Sequence, residues 1–255
     1  MVILNKLIAL FENRKMIRRA QSICKNNSIR PAHRIDLEDA SVILDIFLKR
    51  VYSTCFPFHE DATIMDIGAH KGFFSIYSDK HSGNNASIHA LEPEPSNFEQ
   101  LIANLKWNNC TKVQPVNIAV SDKTGEEKLH LGKSVNHSIV ESYNKHAATN
   151  SNTITIRTVT LSDFIKDNEI TKIDFLKIDC EGFEYKILFN TPGHVFDIIS
   201  TISLEFHDLK SDVYNINKLV GYLAEHGYQI VRYEFQETPQ PLQMGILVMT
   251  KKVLY

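Results

Sequence analysis

The chain has 255 residues, 43% of them hydrophobic and 23% charged, enough for one long α/β domain or a domain with a small appendage. A formal net charge of −2 removes the electrostatic case for gripping a nucleic-acid backbone, and no apolar run approaches the roughly 18–20 residues that span a bilayer. The four cysteines (Cys24, Cys55, Cys110, Cys180) form no CxxC pair and no metal-finger spacing, which suits a reducing compartment.

Residues 1–60 read as a helical N-terminal extension. In MVILNKLIALFENRKMIRRAQSI, the apolar Ile3, Leu7, Leu10 and Ile17 interleave with Lys6, Arg14, Lys15, Arg18 and Arg19. The pattern has two readings: a helix packed on the domain with a solvated basic face, which we favour, or a helix lying on an anionic membrane surface or a partner. No small-residue cleavage site follows the apolar residues, so the expected location is cytoplasmic, with peripheral membrane contact as the second option. A further amphipathic helix is predicted over Asp36–Tyr52, with Glu38 and Asp39 in its first turn. Pro57 breaks the pattern, marking a boundary with a main domain over 61–255.

From Thr63 short apolar runs alternate with helical stretches. TIMDI, SIHALE and KVQPVNIAV are predicted strands, separated by helices from about Lys71 and over PSNFEQLIANLKWNN. KLHLG and TITIRTVTL read as additional strands and LSDFIKDN as a short helix. IDFLKIDC is a long buried strand before the helix EGFEYKILF, and ISTISLEF is a strand before the helix INKLVGYLAEHG, closed by Gly227. Such alternation predicts a mainly parallel sheet with helices on both faces. YQIVRYEF and GILVMTKK have no helix between them, so they should pair antiparallel.

Five places carry polar groups at strand ends. Gly68 and Gly72 lie where the first strand bends into a helix, a turn that lets backbone approach a ligand beside free helix N–H groups. Asp66 can pin that loop or meet a cation. The spacing Asp-x-Gly-x-x-x-Gly is not the dinucleotide fingerprint, because His70 occupies the middle-glycine slot. Glu92 ends the second strand, where an acid can accept both ribose hydroxyls of an adenosine. Ala119, Val120 and Asp122 end the third, where they can flank an adenine edge, although Asp122 is equally credible as a turn former. Lys177 and Asp179 share one strand face, with Glu181 just beyond, and a lysine in an apolar strand needs an anionic partner. Ser203, Glu205 and His207 alternate onto one face of the neighbouring strand.

Together IMDIGAHKGFFS, ALEPEPSNFEQLIANLKWNN, NIAVSDKTG, TVTLSDFI and IDFLKIDCEGFEYKIL resemble the FkbM family of S-adenosylmethionine-dependent methyltransferases, over about Thr63–His207. The resemblance implies a class I methyltransferase fold, Rossmann-like, with a seven-stranded mainly parallel sheet, an antiparallel C-terminal strand and helices on both faces. It also implies O-methylation of a sugar, glycolipid or polyketide hydroxyl. Carried onto this sequence, the turn Asp66–Gly72, including Gly68, Ala69 and His70, holds the cofactor's methionine part. Glu92, with Pro93 beside it, holds the ribose; Ala119, Val120 and Asp122 line the adenine; Asp179 faces the cofactor's amino acid or the acceptor. His137 and Ser138 stand where the family has a small Ser-rich segment. For the acceptor's proton the expected base is His207 first, then Asp179 or Glu181, with Lys177 in the same catalytic cluster. A divalent cation on Asp179, Glu205 and His207 is the less favoured variant. The expected partner is a small-molecule or glycan acceptor, not nucleic acid. The competing classes are a nicotinamide-dependent oxidoreductase and a non-catalytic cofactor-binding scaffold.

Overall fold

The computed structural model describes residues 2–53, 55–131, 153–180, 182–207, 209, 211–236 and 244–252, with side chains from residue 10 onward. In chain order the elements are α1 (Val2–Asn26), α2 (Leu37–Ile43, continued as a π-helical stretch to Lys49), β1 (Thr63–Ile67), α3 (Phe73–His81), β2 (Ser87–Leu91) and α4 (Pro95–Trp107). Next come β3 (Val113–Val116), β4 (Ala119–Ser121), β5 (Gly125–His130), β6 (Thr153–Thr160), α5 (Leu161–Asp167), β7 (Ile173–Ile178) and α6 (Glu184–Phe189). The last are α7 (Gly193–Phe196), β8 (Ile199–His207), α8 (Ile216–Glu225), β9 (Tyr228–Gln236) and β10 (Met244–Lys251).

The central strands are near-continuous apolar runs because helices cover both faces of a parallel sheet. Ile64 and Phe175 join the core on one face; Met65, Ile67, Leu176 and Ile178 join the core on the other. Seven strands form the main sheet in the order β3-β2-β1-β7-β8-β10-β9. Neighbours are parallel as far as β8, and β10 runs antiparallel to both β8 and β9. The final pair is therefore antiparallel as expected, but β10 inserts between β8 and β9. Strand order reverses between β1 and β7, the place where open α/β sheets part their loops to admit a ligand.

Three expectations need correction. KVQPVNIAV is two strands, not one: β3 stays in the main sheet, while β4 joins β5 and β6 in a separate three-stranded sheet. The corner between them is held by Asn117, whose Nδ2 donates to the carbonyls of Glu92 (2.8 Å) and Pro93 (3.0 Å). The helix beginning after Asp36 stops at Lys49, because Arg50 turns left-handed at φ 51°. The short helix α7 has no periodic signal and was not expected.

The lead-in shares the core with the sheet. Ala20 and Cys24 of α1 and Ile43 of α2 are buried in the same cluster as Ile64 and Phe175, and the Phe56 ring lies 4.7 Å from that of Phe175. Asn104 of α4 and Asn108, its C-terminal cap, fasten the segment behind α1: Asn104 Oδ1 accepts from Ala32 N–H (2.8 Å), and Asn108 pairs with both backbone groups of Arg30. α2 begins with a reciprocal cap, Asp36 and Asp39 each accepting the other's backbone N–H.

Candidate active site

At the switch point β1 ends in a turn that glycine alone can make. Gly68 has φ +75°, and its N–H and that of Ala69 both donate to Leu91 O, which ties the turn to the end of β2. A Cβ on Gly68 would lie 1.9 Å from the Asp179 carbonyl oxygen, so the missing side chain lets the β1 and β7 loops touch. Gly72, at φ +82°, enters α3, and a Cβ there would meet Leu101 at 2.3 Å. His70 also adopts positive φ (51°), a strained choice for a residue that is not glycine. Its N–H donates to Glu92 Oε2 (2.8 Å), and its ring Nε2 lies 3.1 Å from Glu38 of α2. Next to it Lys71 pairs with the wholly buried Asp39 at 2.9 Å. The lead-in thus grips the turn from outside through Glu38 and Asp39, contacts that local sequence pattern gave no signal for.

Behind the turn lies a buried ion pair. Lys177 Nζ donates to Asp66 Oδ1 (2.9 Å) and to Gly68 O (3.0 Å), and lies 3.6 Å from Asp179 Oδ2. Asp66 uses its other oxygen to accept from Ser75 Oγ at 2.7 Å. Burial alone would lower the lysine's pKa, but Asp66 and Asp179 raise it further still, so Lys177 stays cationic. Asp66 therefore pins the loop, and Lys177 is a fixed cation holding it, with no proton to accept.

A cavity of about 850 Å³ opens in front of these groups. One end is walled by Gly68, Ala69, His70, Leu91, Glu92, Pro93, Asn97, Ile118, Ala119 and Val120. Glu92 is buried; its two oxygens accept from His70 N–H and from Glu94 N–H (2.9 Å), which fixes the carboxylate toward the cavity. Burial pushes Glu92 above the ordinary carboxylate range, against the pull of those two N–H groups. The other end is walled by Tyr52, Phe74, Lys177, Asp179, Glu205, Met244 and Ile246, with Leu37, Glu38, Ser41, Val42 and Asp45 from α2 and its extension.

At this second end stands a carboxylate pair joined by a tyrosine. Tyr52 hydroxyl donates to Asp179 Oδ2 (2.9 Å) and lies 3.5 Å from Glu205 Oε2. Burial and the two carboxylates together carry the Tyr52 phenol well above its usual pKa, so it is a neutral donor. Ser203 Oγ holds the Tyr52 carbonyl (3.1 Å), and the Lys177 ammonium sits 5.1 Å over the Tyr52 ring. Tyr52 was missed in the sequence; it lies 127 residues from Asp179, at the end of a segment read only as an amphipathic helix.

The remaining predicted residues fall as follows. His207 is fully buried and off the cavity wall; its ring lies between Glu184 Oε1 (3.2 Å) and Glu205 Oε1 (3.6 Å), and Glu205 is on that wall. Asp66, Gly72 and Asp122 are also off the wall, and Asp122 accepts from Ser121 Oγ at a turn. Glu181, His137 and Ser138 lie outside the described residues. Among the described residues no group of three or more His, Cys, Asp or Glu side chains is arranged to hold a metal ion, so Asp179, Glu205 and His207 do not form the weighed ligand set. The hydroxyl of Tyr52 bridges Asp179 and Glu205 instead.

Comparison with known proteins adds the family. The chain is 25% identical over 239 residues to "Methyltransferase 1" of Beauveria bassiana, a match covering 86% of this chain and 91% of that one. It is 26% identical to the hexuronic acid methyltransferase AglP of Haloferax volcanii, over 51% of this chain and 49% of that one. It is 24% identical to the 31-O-demethyl-FK506 methyltransferase FkbM of Streptomyces tacrolimicus, over 66% and 73%. Among solved structures, TrmK of M. capricolum, determined with S-adenosyl-homocysteine, superposes with a TM-score of 0.50 at 15% identity, covering 80% of this chain and 67% of that one. That likeness is one of fold, the class I methyltransferase architecture. The model of the methyltransferase FkbM domain matches residues 66–230, and on that match the chain belongs to the FkbM methyltransferase family.

Proposed function

We propose that this chain is an O-methyltransferase that uses S-adenosylmethionine to methylate a hydroxyl of a sugar or polyketide-type acceptor, with the Asp179–Glu205 pair receiving the acceptor's proton. The observation that carries this reading is the single cavity that joins the Glu92 end to the Tyr52-bridged carboxylates. The residues fit the cofactor: Glu92 is anchored by two backbone N–H groups and keeps its remaining lone pairs for two ribose hydroxyls. Leu91, Ile118 and Val120 give an apolar wall for an adenine, and Gly68 and Ala69 give close backbone approach. When bound, S-adenosylmethionine supplies a methyl group already activated by its sulfonium, so the protein's task is alignment, which accounts for ~7–11 kcal/mol of barrier in favourable cases.

An aliphatic hydroxyl attacks poorly until its proton leaves. Of the carboxylates on the wall at this end, Asp179 and Glu205 are the two that Tyr52 joins, its hydroxyl donating to Asp179 and lying 3.5 Å from Glu205. Glu205 is backed by His207, which in turn is backed by Glu184, so a proton accepted at Glu205 faces a buried imidazole 3.6 Å behind it. Methylation at oxygen accords with the name of the Streptomyces relative, and a sugar acceptor with that of the Haloferax relative. Transfer from methyl-labelled cofactor to a panel of hexuronic acids, neutral glycosides and macrolactones tests the reading. Asp179→Asn and Glu205→Gln are expected to lower turnover by about 10²–10⁴-fold with cofactor still bound. Near-normal turnover in both variants would sink the proposal.

A further inference from the structure

Charge is distributed very unevenly along this chain. Residues 1–34 hold eight Lys and Arg against a single acid, Glu12, within a molecule of net charge −2. In the structure α1 has two opposed faces. The inner one docks through Met16, Ile17, Ala20, Ile23 and Cys24. The outer one carries Phe11, 67% exposed, with Arg14, Lys15 and Arg18 all exposed at the i+3, i+4 and i+7 positions that stack along one stripe. Leu10, beside it, is 52% exposed. Among the described residues Arg14, Arg18 and Arg19 make no ion pair, and Lys15 has only the loose, exposed contact with Glu12 at 3.9 Å.

We infer that the outer face of α1 docks on an anionic lipid surface. A large aromatic held in water opposite the docked face of a helix has no reason of packing, and the cations around it match lipid phosphates in charge. Apolar residues toward one end and three cations behind them is the arrangement of a helix lying in the interfacial plane, rings in the acyl boundary and ammonium or guanidinium groups at the headgroups. Nucleic acid would use the cations but leave Leu10 and Phe11 unexplained. On its inner side Met16 lines the cavity, so α1 separates the cavity from the docked surface. Attachment of this kind does not depend on the acceptor's chemistry.

Co-sedimentation of the full chain with vesicles tests it. Binding is expected to phosphatidylcholine vesicles containing phosphatidylglycerol and not to phosphatidylcholine alone. An R14Q/K15Q/R18Q variant should bind about a hundredfold more weakly, at about fivefold per charge lost. Phe11→Ser should weaken binding at high as well as low salt, whereas the effect of the charges fades as salt rises. All four positions are solvent-exposed, and unchanged circular dichroism verifies that the variants fold. Absence of binding, equal binding to both vesicle types, an unweakened triple variant, or tighter binding to an oligonucleotide than to the anionic vesicles would each overturn the inference.

Discussion

Replacing Lys177 by methionine keeps the volume of the side chain and removes its charge. In the folded protein the ammonium is 3% exposed and is the cation beside Asp66, itself wholly buried, with Asp179 3.6 Å away. Breaking a buried pair by deleting one partner costs about 3–5 kcal/mol, because the remaining charge stays in a place that water cannot reach. Lys177 has a raised pKa, so its contribution in the wild type is fully present below the ordinary lysine pKa and is lost only as pH rises through the folded value. Urea denaturation at pH 7 measures the deficit, and the double variant Asp66→Asn, Lys177→Met should recover part of the loss. A deficit below about 1 kcal/mol, or a double variant no more stable than Lys177→Met, would refute the claim that Lys177 neutralises a buried aspartate.

Other perturbations follow from the same contacts. Tyr52→Phe removes the hydroxyl donor to Asp179, an interaction of about 1.5–3 kcal/mol with a charged group. It should lower kcat more than it raises KM for the acceptor; an unchanged kcat would count against that role. Asp39→Asn loosens the grip of α2 on the glycine turn. Burial alone would raise the Asp39 pKa, but the hydrogen bond from Lys71 and its charge hold it below the usual range. The stability this supplies is present above the unfolded pKa and is lost as pH falls through the folded one. The variant should be less stable by about 2–3 kcal/mol at pH 7, with the gap to wild type closing below about pH 4.

Much of the fold was legible because burial writes periodicity into sequence. β1, β2, β7 and β8 are apolar runs set between helical stretches, and that pattern admits few other architectures. The split of KVQPVNIAV was not legible, since both halves are apolar and the corner rests on one side-chain amide, Asn117, reaching the carbonyls of Glu92 and Pro93. The insertion of β10 between β8 and β9 was equally hidden, because local pattern reports that two strands pair but not on which side each lies. At the site, Glu92 and the glycine turn stood out through their places at strand ends. Glu205 and His207 were rightly set on one face of β8, yet alternation cannot report that α6 brings Glu184 over the end of that strand and buries the imidazole. Tyr52, Glu38 and Asp39 were invisible for a simpler reason: their partners lie far away in sequence, and only the packing of the lead-in brings them to the turn.

What the Glu92 end of the cavity binds is the most direct test. Titrating the purified chain by calorimetry with S-adenosylmethionine and, separately, with NAD decides it. The expected result is saturable binding of S-adenosylmethionine at one site, no binding of NAD, and affinity at least tenfold weaker in Glu92→Ala, the loss of a charge-assisted acceptor being worth about 1.5–3 kcal/mol. Binding should also weaken on acidification before an ordinary carboxylate would protonate, because burial raises the Glu92 pKa. Binding of NAD in place of S-adenosylmethionine, or a Glu92→Ala variant with wild-type affinity, would contradict the account.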